Sequence, residues 1–439
     1  MDDDHQRRKK AGFSLNYFPW KTTAASIQWL LFIFTNTVVV PISIGAAFDL
    51  DPVQLAGVLR SSLLFTGIAC ILQGWIGHRL PIMEGHSGVM WGLVLNLCFS
   101  ASAMGMDLIE VGGGIATGLL LAGGLILLLG ITKQLSIVEK IFTPMVVAVY
   151  LFLLTFQLVL IFFEGMLKIS ADGTLQLPVT LFSFVIVAFV SLLKIKGSPT
   201  IGNFSILIGI GVGWILYVVL FPVDESIQHV TSSWKLPIFP LGTPNLNVGI
   251  AGVTFLASLI NMSNTIASVK AAAELLRKQV KQQMFNRSYM LGGFFSMVAA
   301  CLGLVAYAPF ASTIGFLEST RIFDRKPFLI GGILMTVLGI FPFLGGLLAT
   351  MPVTVGNAVL FVAYLQLMGT SLKSIQGLTF NSVTIHRLAL PVLVGLSILT
   401  LDPALFRGLP VMAQAIISNG FIVGVLLSIL LEKLLKWEN

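Results

Sequence analysis

Charge is what this chain has least of. Only 10% of its 439 residues are Asp, Glu, Lys or Arg, against roughly 25% in an average soluble domain, so a water-facing globule could not be covered. Acids are the scarcer sign, 19 against 26 bases. Cysteine is rarer still. Cys70, Cys98 and Cys301 all fall in apolar stretches, and their odd number and spacing give neither a disulfide framework nor a zinc site; they read as core packing. The five histidines are scattered. No HExxH motif, Ser–His pairing or intramembrane metal-ligand cluster occurs, which removes the ground for a membrane-embedded enzyme. No Pro/Ser-rich or low-complexity linker divides the chain. The first residues, "MDDDHQRRKKAGFSLNYFPW", lack an apolar signal region and a cleavage site, so 1–21 is read as a cytoplasmic tail.

What is present is apolar length. Hydrophobic residues make up 56% of the chain, in recurring runs of about 17 to 25 residues, each able to cross a hydrocarbon core of roughly 30 Å as a helix. The pattern predicts an all-α polytopic membrane protein with fourteen segments, at 22–46, 53–77, 82–101, 112–132, 141–163, 178–195, 201–222, 247–269, 286–308, 309–323, 327–345, 346–369, 386–401 and 409–431. Segment 309–323 is short, and the cut at 345/346 is arbitrary. Cytoplasmic loops collect Lys and Arg. With both termini inside, all of the 26 basic residues except Lys168, Lys235, Arg407 and the segment-embedded Arg60 fall on the cytoplasmic side. The net charge of +7 then reflects topology and attraction to anionic lipid, with no need for nucleic acid. "KAAAELLRKQVKQQ", between segments eight and nine, reads as a short basic amphipathic connector on the inner leaflet.

The same parity leaves two acids at bilayer depth, Glu84 and Glu318. Such groups cost roughly 2.5 to 3.5 kcal/mol to insert and usually face a cavity; the bland alternative is snorkelling or a helix–helix hydrogen bond. Glu318 and Arg321, three apart, share a helical face, so a structural ion pair competes there with a functional role. If fourteen segments are two inverted sets of seven, segment three corresponds to segment ten, and each holds one of these acids. Both open alike, "PIMEGHSG" from Pro81 and "PFASTIG" from Pro309. Broken segments at matching positions of inverted halves point to a transporter's midplane site. Extended backbone there must pair with itself or line a polar cavity, and a half-helix starting after it offers free N–H groups and a positive dipole end. Ser87 and Thr313 are suitable N-caps. The extended stretches expected side by side are Ile82–His86 and Phe310–Ser312.

These residues carry a resemblance. "STIGFLESTR", Ser312 to Arg321, is similar to the signature of the nucleobase–ascorbate (nucleobase:cation symporter-2) transporters, with Gly315, Thr320 and Arg321 matching, Glu318 lying between them, and Ser312 and Thr313 standing where the family has Glu or Gln followed by Asn. "PIMEGHSG" resembles the third-segment stretch, with Glu84 replacing a common Gln. "SIQWLLFIFTNTVVVP" resembles the first segment, with Trp29 where His usually follows Gln28. In "SLINMSNTIASVK", Asn264 stands where the family carries a Glu that holds the base and takes part in proton coupling.

The resemblance implies a 7+7 inverted repeat with short antiparallel strands in segments three and ten. A core domain would comprise 22–132 and 247–345, and a gate domain 141–222 and 346–431. It also implies a homodimeric elevator-type carrier in the cell membrane, without cofactor or metal, that moves a purine or pyrimidine nucleobase such as uracil, xanthine or urate with protons or sodium. The solute pocket is expected from Asn36, Glu84, His86, Ser87, Gly88, Asn261, Asn264, Ser312, Thr313 and Ile314. Asn36 has a helix-packing alternative. An amide at Asn264 hydrogen-bonds a base edge but cannot titrate, so coupling is assigned to Glu84, with His86 as a second titrating group. Open alternatives are a carrier of the same architecture for an inorganic or organic anion, a receptor, and a non-transporting homologue.

Overall fold

The computed structural model describes residues 19–101, 106–134, 143–170, 173–221, 234–310, 312–406 and 408–435. The expected tail therefore lies outside the described residues up to position 18, as does Arg407. The helices are α1 Pro19–Ala47, α2 Pro52–Trp75, α3 Gly88–Ser100, α4 Leu108–Thr132, α5 Pro144–Met166, α6 Leu177–Lys196, α7 Pro199–Leu220, α8 Val248–Leu275 and α9 Gln282–Cys301. They continue as α10 Ser312–Thr320, α11 Arg325–Ile340, α12 Pro342–Ala349, α13 Val353–Ser374, α14 Ser382–Leu399, α15 Val411–Ile417 and α16 Gly420–Leu434. Two three-residue strands, β1 Glu84–His86 and β2 Tyr307–Pro309, precede α3 and α10.

Local chemistry sets many of these boundaries. Asp51, Asp107, Thr143, Ser198, Asn247 and Asn419 each cap a helix by accepting a backbone N–H with the side chain, and proline opens α2, α5 and α7, where its missing N–H is not needed. Seven helices among the described residues are long and apolar enough to cross a membrane, and an eighth if α11 and α12 count as one. Those two are bent by 84° at Phe341–Pro342. The cut expected at 345/346 falls inside α12, and the bend comes before it: Pro342 removes an N–H and biases Phe341 to the extended φ −82°, ψ 116° that ends α11. The amphipathic connector is also corrected. Lys270–Leu275 is the last part of α8, and the chain then turns through Arg277 at φ 51° before α9 starts at Gln282.

The helices pack in three sets among the described residues. α4, α8 and α9 pack together, as do α1, α2, α11 and α12, while α5 gathers α13, α14 and α16, and α13 also meets α6 and α7. The α4–α9 crossing depends on Gly123 and Gly293: a Cβ on Gly293 would stand 2.6 Å from the Gly123 carbonyl oxygen. Small residues admit this approach where lipid supplies no hydrophobic drive between helices. Large apolar side chains such as Leu121, Leu128, Val185, Leu192, Ile195, Ile215 and Val219 face outward.

Candidate functional site

The strands pair antiparallel, with Glu84 opposite Pro309, Gly85 opposite Ala308 and His86 opposite Tyr307. Backbone bonds from Phe310 N to Met83 O (2.9 Å) and from Ser87 N to Ala306 O (2.8 Å) extend the ladder at both ends. Because bonded and non-bonded pairs alternate, Glu84 and Pro309 form a non-bonded pair, where a proline costs no ladder bond. This corrects the expected stretch Phe310–Ser312. Pro309 closes the second strand rather than opening it, and Ser312 is already the first residue of α10.

Alternation also sorts the side chains. Glu84 and His86 share the face toward α2, where Gln73 Nε2 donates to Glu84 Oε1 (3.4 Å) and His86 Nε2 lies 2.7 Å from Ser62 Oγ. The His86 and Tyr307 rings sit 5.1 Å apart, and the Tyr307 hydroxyl is 3.1 Å from Thr66 Oγ1. The Glu84 N–H, unused by the ladder, donates to Cys70 Sγ (3.3 Å). Cys70 and Cys98 are buried, Cys301 is half-buried, and all three are free.

Past the strands, Ser87 is the N-cap of α3, accepting from Met90 N (3.4 Å) and donating to Asn261 Oδ1 of α8 (2.6 Å). One turn farther along α8, Asn264 accepts from Ser268 Oγ (3.3 Å), which also lies 3.2 Å from the Pro309 carbonyl. Asn261 and Asn264 thus sit against the chain where both broken segments turn into helix. Gly88, the first residue of α3, leaves room for Leu158 of α5; a Cβ there would stand 3.3 Å from its Cδ1.

Other candidates are placed differently. Thr313 lies inside α10, and its Oγ1 accepts from Met83 N (3.3 Å), so it ties strand to half-helix instead of capping. Ser312 and Gly315 are exposed, and Ile314 packs with the apolar cluster of α8 and α9. Asn36 Nδ2 donates to Phe32 O within its own helix (2.8 Å). Glu318 is exposed and forms no ion pair with Arg321: α10 ends at Thr320, and Arg321 adopts φ 57°, which breaks the shared face that three-residue spacing implied. Thr320 Oγ1 bonds back to Phe316 O (2.7 Å). Trp29 is fully buried against Phe316 of α10 and Phe328 of α11, ring centroids 4.7 and 4.9 Å away. Sequence reasoning missed Gln73, Ser62 and Ser288, which carry no motif and are recruited from α2 and α9. No metal-type His/Cys/Asp/Glu group occurs among the described residues.

A family model described as the permease family (Xan_ur_permease) matches residues 20–404. The chain is 28% identical over 428 residues to YwdJ of Bacillus subtilis (strain 168), covering 95% of this chain and 97% of that one. It is 25% identical to the nucleobase transporter PlUacP of Paenibacillus larvae, over 94% of each chain. Identity to the uric acid permease PucK of Bacillus subtilis is 22%, over 92% of this chain and 93% of that one. Two solved structures have a similar fold. The transmembrane domain of the cyanobacterium bicarbonate transporter BicA aligns with TM-score 0.57 and 14% identity, over 92% of this chain and 97% of that one. Murine Slc26a9, an anion transporter in its inward-facing state, aligns with TM-score 0.60 and 11% identity, over 94% and 69%. Because the family match runs through both strand-and-half-helix segments and most of the chain around them, the protein belongs to this permease family, the nucleobase–ascorbate transporters, and is a multi-pass membrane permease rather than an enzyme.

Proposed function

We propose that this permease carries a purine or pyrimidine nucleobase, such as uracil, xanthine or urate, across the cell membrane by proton symport. The observation that carries the reading is the polar row Ser87, Asn261 and Asn264 beside the junctions of two strands and two half-helices. Half-helix N-termini supply donors to carbonyl oxygens, and the Asn264 amide supplies a donor and an acceptor to a base edge. The printed names of relatives, a nucleobase transporter and a uric acid permease, support the same class of solute. Gly88, Ser312, Thr313 and Ile314 complete the surroundings. Glu84, one layer behind the strand, exchanges the coupling proton, with His86 beside it.

In this reading the fourteen segments form two inverted sets of seven. The group containing α1–α4 and α8–α11 moves as the core against a gate built on α5–α7 and α13–α16, in a homodimer with cytoplasmic termini. Uptake of labelled uracil, xanthine, hypoxanthine, urate and guanine into cells lacking their own permeases tests it; accumulation of one of them that a protonophore collapses is the expected result. The second reading, a carrier of an inorganic or organic anion, is favoured by the fold shared with the BicA transmembrane domain, and labelled bicarbonate in the same assay distinguishes it.

A further inference from the structure

The strand register aims Glu84 into the packed interior between α2, α9 and β2. Gln73 Nε2, which donates to Glu84 Oε1, also donates to the Ser288 carbonyl of α9 (3.0 Å). Three further atoms in this interior, Glu84 Oε2, Gln73 Oε1 and Ser288 Oγ, have no protein partner, and their residues are at most 2% exposed. An unpaired buried polar atom is costly, and internal water is the usual way such groups are satisfied.

Ser288 also lines a cavity between α4, α8 and α9 that has room for a water molecule, with Ser258, Asn261, Thr265, Ser296 and Tyr307 among its polar walls. Asn261 is the residue to which Ser87 donates. One cavity therefore touches Glu84's hydrogen-bond chain on one side and the proposed solute site on the other. The titratable groups facing Glu84 are Cys70 on α2, His86 on its own strand and Tyr307 on β2. Among the described residues, no Lys or Arg forms an ion pair with it.

We propose that water in this cavity relays a proton between Glu84 and the proposed solute site beside Ser87 and Asn261, with Ser288 as the hydroxyl link and Gln73 positioning the carboxylate. On release, the acid's O–H bond breaks and its proton passes to a water bridging the two unpartnered atoms Glu84 Oε2 and Ser288 Oγ; that water passes a proton to the Ser288 oxygen, while the Ser288 hydroxyl proton passes to the cavity water. That water hands one proton to solvent when the solute site is open. One proton has left, the hydroxyl and water are regenerated, and one negative charge remains on Glu84.

The proposal rests on the proton-symport reading, and the test separates the two. Purified protein in proteoliposomes is given the nucleobase that the wild type accepts, and two rates are compared: accumulation driven by a pH gradient, and counterflow exchange without one. Ser288→Val should cut gradient-driven accumulation at least tenfold and leave exchange within twofold, and Ser288→Thr should restore accumulation. Thr265→Val, nearly isosteric and on the opposite wall, should act in the same direction and carries the test if Ser288→Val does not fold. A folded Ser288→Val or Thr265→Val protein that accumulates substrate like the wild type overturns the relay, as does equal loss of exchange and accumulation, which would make the cavity structural. A wild type that shows no gradient-driven accumulation of any nucleobase overturns the symport reading itself.

Discussion

In the proposed reading Asn264 and Glu84 divide the work of one carboxylate, and each can be probed separately. The amide is half-buried at the turn where β2 leads toward α10, with Ser268 as its neighbour. Removing a hydrogen-bond partner in a desolvated site costs about 1 to 3 kcal/mol. Asn264→Ala should therefore raise the apparent substrate constant about tenfold while leaving the amount of protein in the membrane unchanged; concentration-dependent uptake with a surface-expression control checks it. Glu84→Gln keeps the shape and the bond to Gln73 but cannot release a proton. It should abolish uphill accumulation and the pH dependence of uptake while preserving counterflow exchange. Retention of pH-dependent accumulation would move coupling to another group or to sodium.

At the scale of elements, the position of the site depends on how closely helices approach behind it. α4 and α9 meet at Gly123 and Gly293, and the obstacle to a larger residue is backbone that cannot swing aside. Overpacking of this kind costs about 1 to 3 kcal/mol. Gly293→Val should lower the melting temperature in detergent and reduce yield. Gly292→Val, one residue away with nothing within 4 Å of its added Cβ, should leave both near wild type. The bend at Pro342 belongs to this scale too: a proline visible in the sequence sets it, and hydropathy alone ran across it.

The whole molecule has to let one helix group move past the other if it is an elevator. The proposed core and gate would meet where α3 packs on α5, with Gly92 of α3 open to Gln157 of α5: a Cβ on Gly92 would stand 3.2 Å from the Gln157 side-chain carbon Cδ. Cysteines placed at 92 and 157 in a background without Cys70, Cys98 and Cys301 should be joined by a short reducible thiol cross-linker. Transport should stop on cross-linking and return on reduction. Transport that continues in the cross-linked protein would show that these two groups need not slide.

Read by itself, the sequence determined the class of molecule, the approximate place of the apolar helices and the two broken segments. Helix length, proline and charge parity are local quantities, and burial in lipid makes them decisive. It also determined Ser87 as an N-cap, since the capping bond needs only near neighbours. The tertiary structure decided everything that depends on register. Moving the second strand to Tyr307–Pro309 pairs Glu84 with Pro309, and because side chains alternate every residue along a strand, register chooses which face each one takes. That choice put Glu84 and His86 behind the strand with Gln73 and Ser62, while Ser87 and Asn261 met beside the half-helix. No spacing along the chain encodes such a pairing, because Glu84, Gln73 and Ser288 come together across α2, β1 and α9 through packing alone.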